Sequence, residues 1–233
     1  HIGLATLTYL FEGVIMHRDN LGYTQRIEPG AINLMIAGNG IVHSERKPEE
    51  EKNQTYINHG LQLWIAVPED KETIAASFSH TPASAIPELK IGEAQVRVLV
   101  GSAFGATSPV PTLSPTLYLD VQLPPHSTWA LPMLADEQAV YRVTGEIIVD
   151  DKVLEDGSML VLHQLQTLNS GEHGARFVII GGQNLGKRLM WWNFVSSHKE
   201  TIDAAAAVWE SNPNEGPLKQ VPGEVERIPL PKR

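Results

Sequence analysis

The sequence predicts an all-β protein of two small barrels or sandwiches, followed by one helix and an extended tail. Three observations carry that expectation. Short runs of Thr, Val, Ile, Leu and aromatic residues recur along most of the 233 residues and are punctuated by Gly and Pro turns. The runs fall into two blocks on either side of residues 102–116, a stretch with two Ser-Pro pairs that reads as a linker. Only after Ser197 does the apolar spacing change to that of a helix.

In chain order, Thr6–Phe11 reads as a strand and Val14–His17 as the next, with Glu12-Gly13 between them. Asp19-Asn20-Leu21-Gly22 and Pro29-Gly30 are turns. Ile32–Ile36 is a strand, and Gly38-Asn39-Gly40 turns the chain into Ile41–Glu45. Residues 46–58 are polar and read as a loop; Gly60–Val67 is a strand stopped by Pro68. Residues 68–92 read as irregular, because Pro82 and Pro87 prevent a long helix. Val96–Gly101 is apolar and β-branched. In the second block Leu117–Leu123 alternates, Gln138–Val143 and Glu146–Val149 flank a Thr144-Gly145 turn, and Ser158–Leu162 and Ala175–Gly181 are strands. The expected domains are therefore 1–110 and 111–233. Ser197-His198-Lys199-Glu200 has capping-box spacing, with Ser197 accepting the Glu200 N–H. Ile202, Ala205, Ala206 and Trp209 then share one face of a helix over 198–211, and that face should lie on a sheet. From Pro213 the Pro- and Glu-rich tail should wrap the surface.

Charge and composition exclude several functions. Asp and Glu (27) outnumber Lys and Arg (18), for a formal net charge of −9. A basic groove for nucleic acid is not expected at that balance. Cysteine is absent, which excludes disulfides, thiol nucleophiles, zinc ribbons and iron–sulfur clusters. No apolar run approaches the length of a membrane span, and no signal peptide is seen. A soluble, cytoplasmic monomer is expected. The chain opens on His1 rather than Met and runs directly into a strand, so an upstream segment is expected as well.

The nine histidines are the candidates for chemistry. His43 and Glu45 are two apart on a strand, so both point to one face. Inside a barrel a neutral imidazole beside a carboxylate is costly unless paired or bound to a divalent transition metal, iron above all. A salt-bridged or solvent-facing pair is the alternative. His1 would supply a third ligand if its strand lies beside His43, and two His with one carboxylate leave open positions for substrate or dioxygen. His17 reads as a surface residue and His59 as a strand-edge residue. His126, His163 and His173 lack ligand spacing, so the second block is expected to hold no metal. Gly181-Gly182-Gln183-Asn184-Leu185-Gly186 lacks both the dinucleotide fingerprint and the P-loop lysine and reads as a turn. Trp191-Trp192-Asn193-Phe194 reads as packing. No Gly-x-Ser-x-Gly elbow exists, so a serine hydrolase is not suggested.

Several ordered motifs resemble the pirin family of bicupins: His1-Ile2-Gly3, Tyr9-Leu10-Phe11-Glu12-Gly13, Pro29-Gly30, Ala37-Gly38-Asn39-Gly40-Ile41-Val42-His43-Ser44-Glu45, Gly60-Leu61-Gln62-Leu63-Trp64 and Trp191-Trp192-Asn193-Phe194-Val195. The resemblance implies two stacked cupin barrels, the first holding a metal on three His and one Glu. His43 and Glu45 fall on one ligand pair and His1 on the second residue of a His-Pro-His-like segment, whose first His would lie upstream of this sequence. A free amine at His1 would be the substitute donor if nothing precedes it. Fe(II) is the implied metal, with Ni, Cu, Mn and Zn compatible with the same donors. The family also implies quercetin 2,3-dioxygenase chemistry: a flavonol bound through its deprotonated 3-hydroxyl, Glu45 as catalytic base, and ring cleavage by dioxygen with release of carbon monoxide. The alternatives are a metal-binding regulatory protein that acts through a protein partner, and a structural protein whose site has decayed.

Overall fold

The computed structural model describes residues 1–232. Two compact units emerge: His1–Ala83 with the segment from Leu185 onward, and Ser84–Asn184. The division differs from the expected boundary at 110/111. The apolar stretch around Val96 pairs with the strand that begins at Thr116, so it belongs to the second unit. The Ser-Pro-rich stretch is internal to that unit, where the Ser108 hydroxyl donates to the Leu99 carbonyl at 2.7 Å.

In the first unit, β1 (Leu4–Glu12), β2 (Ile15–Asp19), β3 (Thr24–Ile27), β4 (Ile32–Ile36), β5 (His43–Arg46), β6 (His59–Ala66) and β7 (Ser77–Thr81) form two antiparallel sheets, ordered β6-β1-β4-β7 and β3-β2-β5. β1 is buried from Leu4 to Leu10, which is why its sequence is an apolar and Thr run rather than a strict alternation. The sheets face each other: the His17 ring of β2 stacks on Phe78 of β7, with centroids 4.3 Å apart. The region expected to be irregular contains β7, because Pro82 follows that strand instead of interrupting it.

The Gly38-Asn39-Gly40 turn sets where β5 begins. Gly38 has φ +50°, and a Cβ there would sit 2.0 Å from the Ile74 carbonyl oxygen, which already accepts the Asn39 N–H at 2.9 Å. Gly38→Ala is expected to destabilise the protein by about 2 kcal/mol or more. Denaturant midpoints of the two proteins check this, and equal midpoints would refute it.

The second unit contains β8 (Glu88–Ile91), β9 (Ala94–Val100), β10 (Ser102–Ala103), β11 (Ala106–Thr107), β12 (Thr116–Leu123), β13 (Thr128–Leu131), β14 (Glu137–Val149), β15 (Lys152–Val153), β16 (Met159–Leu162) and β17 (Gln166–Gly182). Its main sheet runs β15-β14-β17-β12-β9-β8, with β13 on β17 and β16 on β14. The expected Thr144-Gly145 turn is instead a pair of bulges within β14, at Arg142/Thr144 and Gly145/Ile147. Gly145, at φ +72°, supplies the bulge conformation, and the long partner β17 keeps both halves in one ladder. Trp129, Phe177, Leu119, Leu131 and Leu168 anchor the core.

The chain then returns to the first unit as β18 (Leu189–Trp191), β19 (Phe194–Ser196) and α1 (Lys199–Glu210). Ile202, Ala205 and Ala206 bury one face of α1 against Ile2, Phe194 and Leu218, and Trp191, Trp192 and Trp209 pack at its margin. The expected capping box does not form. His198 is the N-cap, without a side-chain cap bond, and Ser197 turns to Glu72, which accepts its hydroxyl at 2.7 Å. Instead of accepting a backbone N–H of the helix end, the hydroxyl donates to a carboxylate in a charge-assisted bond. The tail beyond Pro213 has no regular elements but buries Leu218 and Val221. No helix among the described residues is long and apolar enough to cross a membrane.

Candidate metal centre

β2 and β5 are antiparallel neighbours, with His17 opposite Glu45 and Asp19 opposite His43. Since alternate residues share a face, the four side chains form one cluster. His1 joins from the short segment leading into β1. Its backbone nitrogen donates to the Ile41 carbonyl at 2.8 Å, and its carbonyl accepts the Ile41 N–H at 3.0 Å. Two residues after Ile41 comes His43, and His1 Nε2 lies 3.1 Å from His43 Nε2. One ligand atom each from His17, His43 and Glu45 lie within 4.8 Å of one another. Of the sequence-predicted residues, His43 and Glu45 share this cluster and His1 stands against its His43 side.

His17 is the residue that sequence reasoning misplaced. It is 2% exposed, not on the surface. Its Nε2 lies 3.0 Å from Asp19 Oδ2, while Asp19 Oδ1 accepts the N–H groups of Leu21 (2.9 Å) and Tyr23 (3.1 Å). With Nε2–H donating to the carboxylate, a neutral ring keeps its lone pair on Nδ1, the arrangement of a carboxylate-supported metal ligand. A signal was present in the sequence: His17-Arg18-Asp19 repeats the His-x-acid spacing of His43-Ser44-Glu45. His59 lies elsewhere, at the start of β6 against Phe11, and His126, His163 and His173 are exposed in the second unit.

The donors suit a cation. Burial above all lowers the His43 pKa to about 3, so its ring is neutral above that pH and no proton has to be displaced from it. The Nδ1 atoms of His1 and His43 are buried without a partner, so Nε2 is the atom through which each ring meets the other. Two nitrogen ligands at right angles, each about 2.1 Å from a shared ion, stand about 3 Å apart, close to the spacing seen here. Glu45 is exposed and oriented. Gln62 Nε2 donates to its two oxygens at 2.9 and 3.0 Å, and the Thr8 hydroxyl donates to Oε1 at 3.5 Å. The site therefore combines a buried imidazole side with an accessible carboxylate edge.

A cavity of about 310 Å³ adjoins the cluster. His1, His43 and Glu45 are on its wall, with Trp192, Trp209 and Ile228 from the returning segment. Trp192 sits at φ 52°, unusual for a bulky residue, in the two-residue turn between β18 and β19. Its ring is held edge-on to Phe194 (5.3 Å) and tilted on Trp209 (5.5 Å).

Comparison with known proteins bears on this arrangement. The family model described as Pirin matches residues 1–65, and that described as Pirin C-terminal cupin domain matches residues 118–215. The chain is 40% identical to a pirin-like protein of Caulobacter vibrioides over 213 residues, covering 91% of this chain and 74% of that protein. It is 34% identical to a Pseudomonas aeruginosa protein provisionally named a quercetin 2,3-dioxygenase, covering 90% of this chain and 66% of that protein. A crystal structure of quercetin 2,3-dioxygenase from Acinetobacter baumannii superposes with a TM-score of 0.90 at 30% identity, over 100% of this chain and 77% of that one.

Proposed function

The chain belongs to the pirin family of bicupins, and on that premise we propose that it is a metal-dependent dioxygenase that opens the oxygen-bearing ring of a flavonol such as quercetin. The observation that carries the proposal is the 3.1 Å approach of His1 and His43 Nε2 beside the His17, His43 and Glu45 cluster. His1, His17, His43 and Glu45 would hold the metal, with His17 supported by Asp19. Iron(II) is the proposed ion, and the N/O donor set also accommodates Ni, Cu, Mn or Zn. A bound ion would supply a Lewis acid for the deprotonated substrate oxygen and a redox partner for dioxygen.

The protein's own groups do the rest. Gln62 and Thr8 hold the Glu45 carboxylate at the accessible edge of the cluster, where Oε1 or Oε2 takes the proton of the flavonol 3-hydroxyl. The cavity is within the size range of small-molecule sites, and Trp192 and Trp209, packed on each other with the Arg227 guanidinium over Trp209, form one aromatic side of it. Arg46, Gln220, Glu224 and Arg227 on the same wall offer polar partners to the substrate hydroxyls. Both oxygen atoms of O2 enter the products: one carbon leaves as carbon monoxide, and the remainder as an ester of two phenolic acids.

The test is carbon monoxide release from quercetin in air by protein loaded with Fe(II). Turnover is expected to require added metal and to fall at least about 100-fold in Glu45→Ala. If loaded protein takes up metal yet releases no carbon monoxide from any flavonol tried, the dioxygenase reading fails and the metal-binding regulatory alternative replaces it.

A further inference from the structure

The strand that carries the proposed ligands is gripped by the C-terminal tail, whose Glu224 and Glu226 line the same cavity as His1, His43 and Glu45. Along β5, His43 and Glu45 face the cluster, and the intervening residues bind the tail. The Ser44 hydroxyl donates to Glu224 Oε1 at 2.6 Å. Arg46 Nε donates to Glu224 Oε1 and Oε2 at 3.0 and 2.9 Å, and Arg46 Nη2 donates to Glu226 Oε2 at 3.0 Å. The Glu224 side chain is 13% exposed, and these partners hold its pKa below the ordinary carboxylate value, so it stays charged at neutral pH.

A second contact reaches the same strand from the same tail. Asn20, 4% exposed, follows Asp19 at the end of β2. Its Nδ2 donates to the carbonyls of Pro217 (2.8 Å) and Lys219 (3.3 Å), while its Oδ1 accepts the N–H of Val42 at 3.2 Å, one residue before His43. The tail is thus tied to both strands of the cluster: next to Asp19 on β2, and before, between and after the two ligands on β5. Pro217 and Leu218 also close on Gly40, where a Cβ would meet them at 2.9 and 3.1 Å, so this turn accepts only glycine without displacing the tail.

We propose that the tail is a brace that sets the metal affinity of the cluster, with Glu224 as its principal positioning residue. The inference rests on the metal-binding reading above. Its logic is that of outer-shell support: partners that fix a ligand's backbone and orientation change affinity without touching the ion, commonly by about 10- to 100-fold. Linkage requires the reverse effect too, so a bound ion must steady the tail by the same factor.

Two measurements on the intact protein test this. Titration with Co(II) alone, followed by calorimetry and by the cobalt absorption spectrum, is expected to show affinity reduced about tenfold or more in Glu224→Gln, with an altered spectrum. Glu50→Gln, which breaks an ion pair to Arg26 on β3 and touches neither β5 nor the tail, is expected to leave both unchanged. Second, trypsin cleavage after Arg227 is expected to slow when metal is added to the wild type and to slow less in Glu224→Gln. Wild-type affinity and spectrum in Glu224→Gln, or metal-independent cleavage in the wild type, would overturn the brace while leaving metal binding intact. Failure of the wild type itself to bind Co(II) would overturn both proposals.

Discussion

Replacing His43 with alanine is expected to empty the proposed metal centre: from about one ion per chain in the metal-loaded wild type to less than about a tenth, with affinity down by more than about 100-fold. No neighbouring group can take its place. His1 approaches the cluster through its contact with His43 Nε2, and His17 is committed to Asp19 on its other side. The fold should survive. His43 is half-buried on the cavity wall, so the stability cost is about 1 kcal/mol. Metal content by mass spectrometry, together with a thermal melt, separates the two effects. A variant that melts normally and still carries stoichiometric metal would remove His43 from the centre.

How much of this was legible in the sequence varies with the distance over which each feature is determined. Ile32–Ile36 is recovered to the residue, because Pro29-Gly30 and Gly38-Asn39-Gly40 bracket it locally. That His43 and Glu45 stand side by side is legible for the same reason: alternation on one strand places both on one face. His17 is not, because alternation says which face a residue occupies but not what covers that face. Its cover is Phe78, some sixty residues later, in a stretch whose prolines suggested no regular structure. Gly145 has the local signature of a turn, and only its pairing with β17 makes it a bulge. Ser197 fits a capping box until Glu72, far away in sequence, supplies a better partner. The tail contacts of Asn20 and Ser44 span about 180 to 200 residues and leave no trace in any local pattern.

Glu72 is the site of the second large effect. It is 4% exposed and carries a charge that only its partners make tolerable. Burial pushes its pKa up, but the Ser197 N–H (2.9 Å to Oε2) and hydroxyl (2.7 Å to Oε1), the Ser196 hydroxyl (3.0 Å) and Arg188 Nε (2.7 Å) together pull it below the ordinary 4.5. Glu72→Ala leaves the Arg188 guanidinium in a poorly solvated position without its counter-charge, and is expected to cost about 3 kcal/mol. Ser197→Ala, which removes one hydroxyl donor from a carboxylate that keeps its other partners, should cost about 1 kcal/mol. The pH dependence follows from linkage. Because the folded pKa lies below the unfolded one, the stabilisation is fully present above about pH 4.5 and disappears as pH falls through the folded value. Wild-type stability should therefore decline more steeply than that of Glu72→Ala in acid, and the two curves should converge. The damage should also reach the metal centre. Ser196 ends β19, whose Phe194 bridges Ile2 and whose Val195 N–H donates to the Ile2 carbonyl at 3.2 Å, immediately after His1. Denaturant melts of both proteins between pH 3 and 8 test the argument. A constant gap between the curves across that range would show that the ionised Glu72 carboxylate is not what holds the returning segment in place.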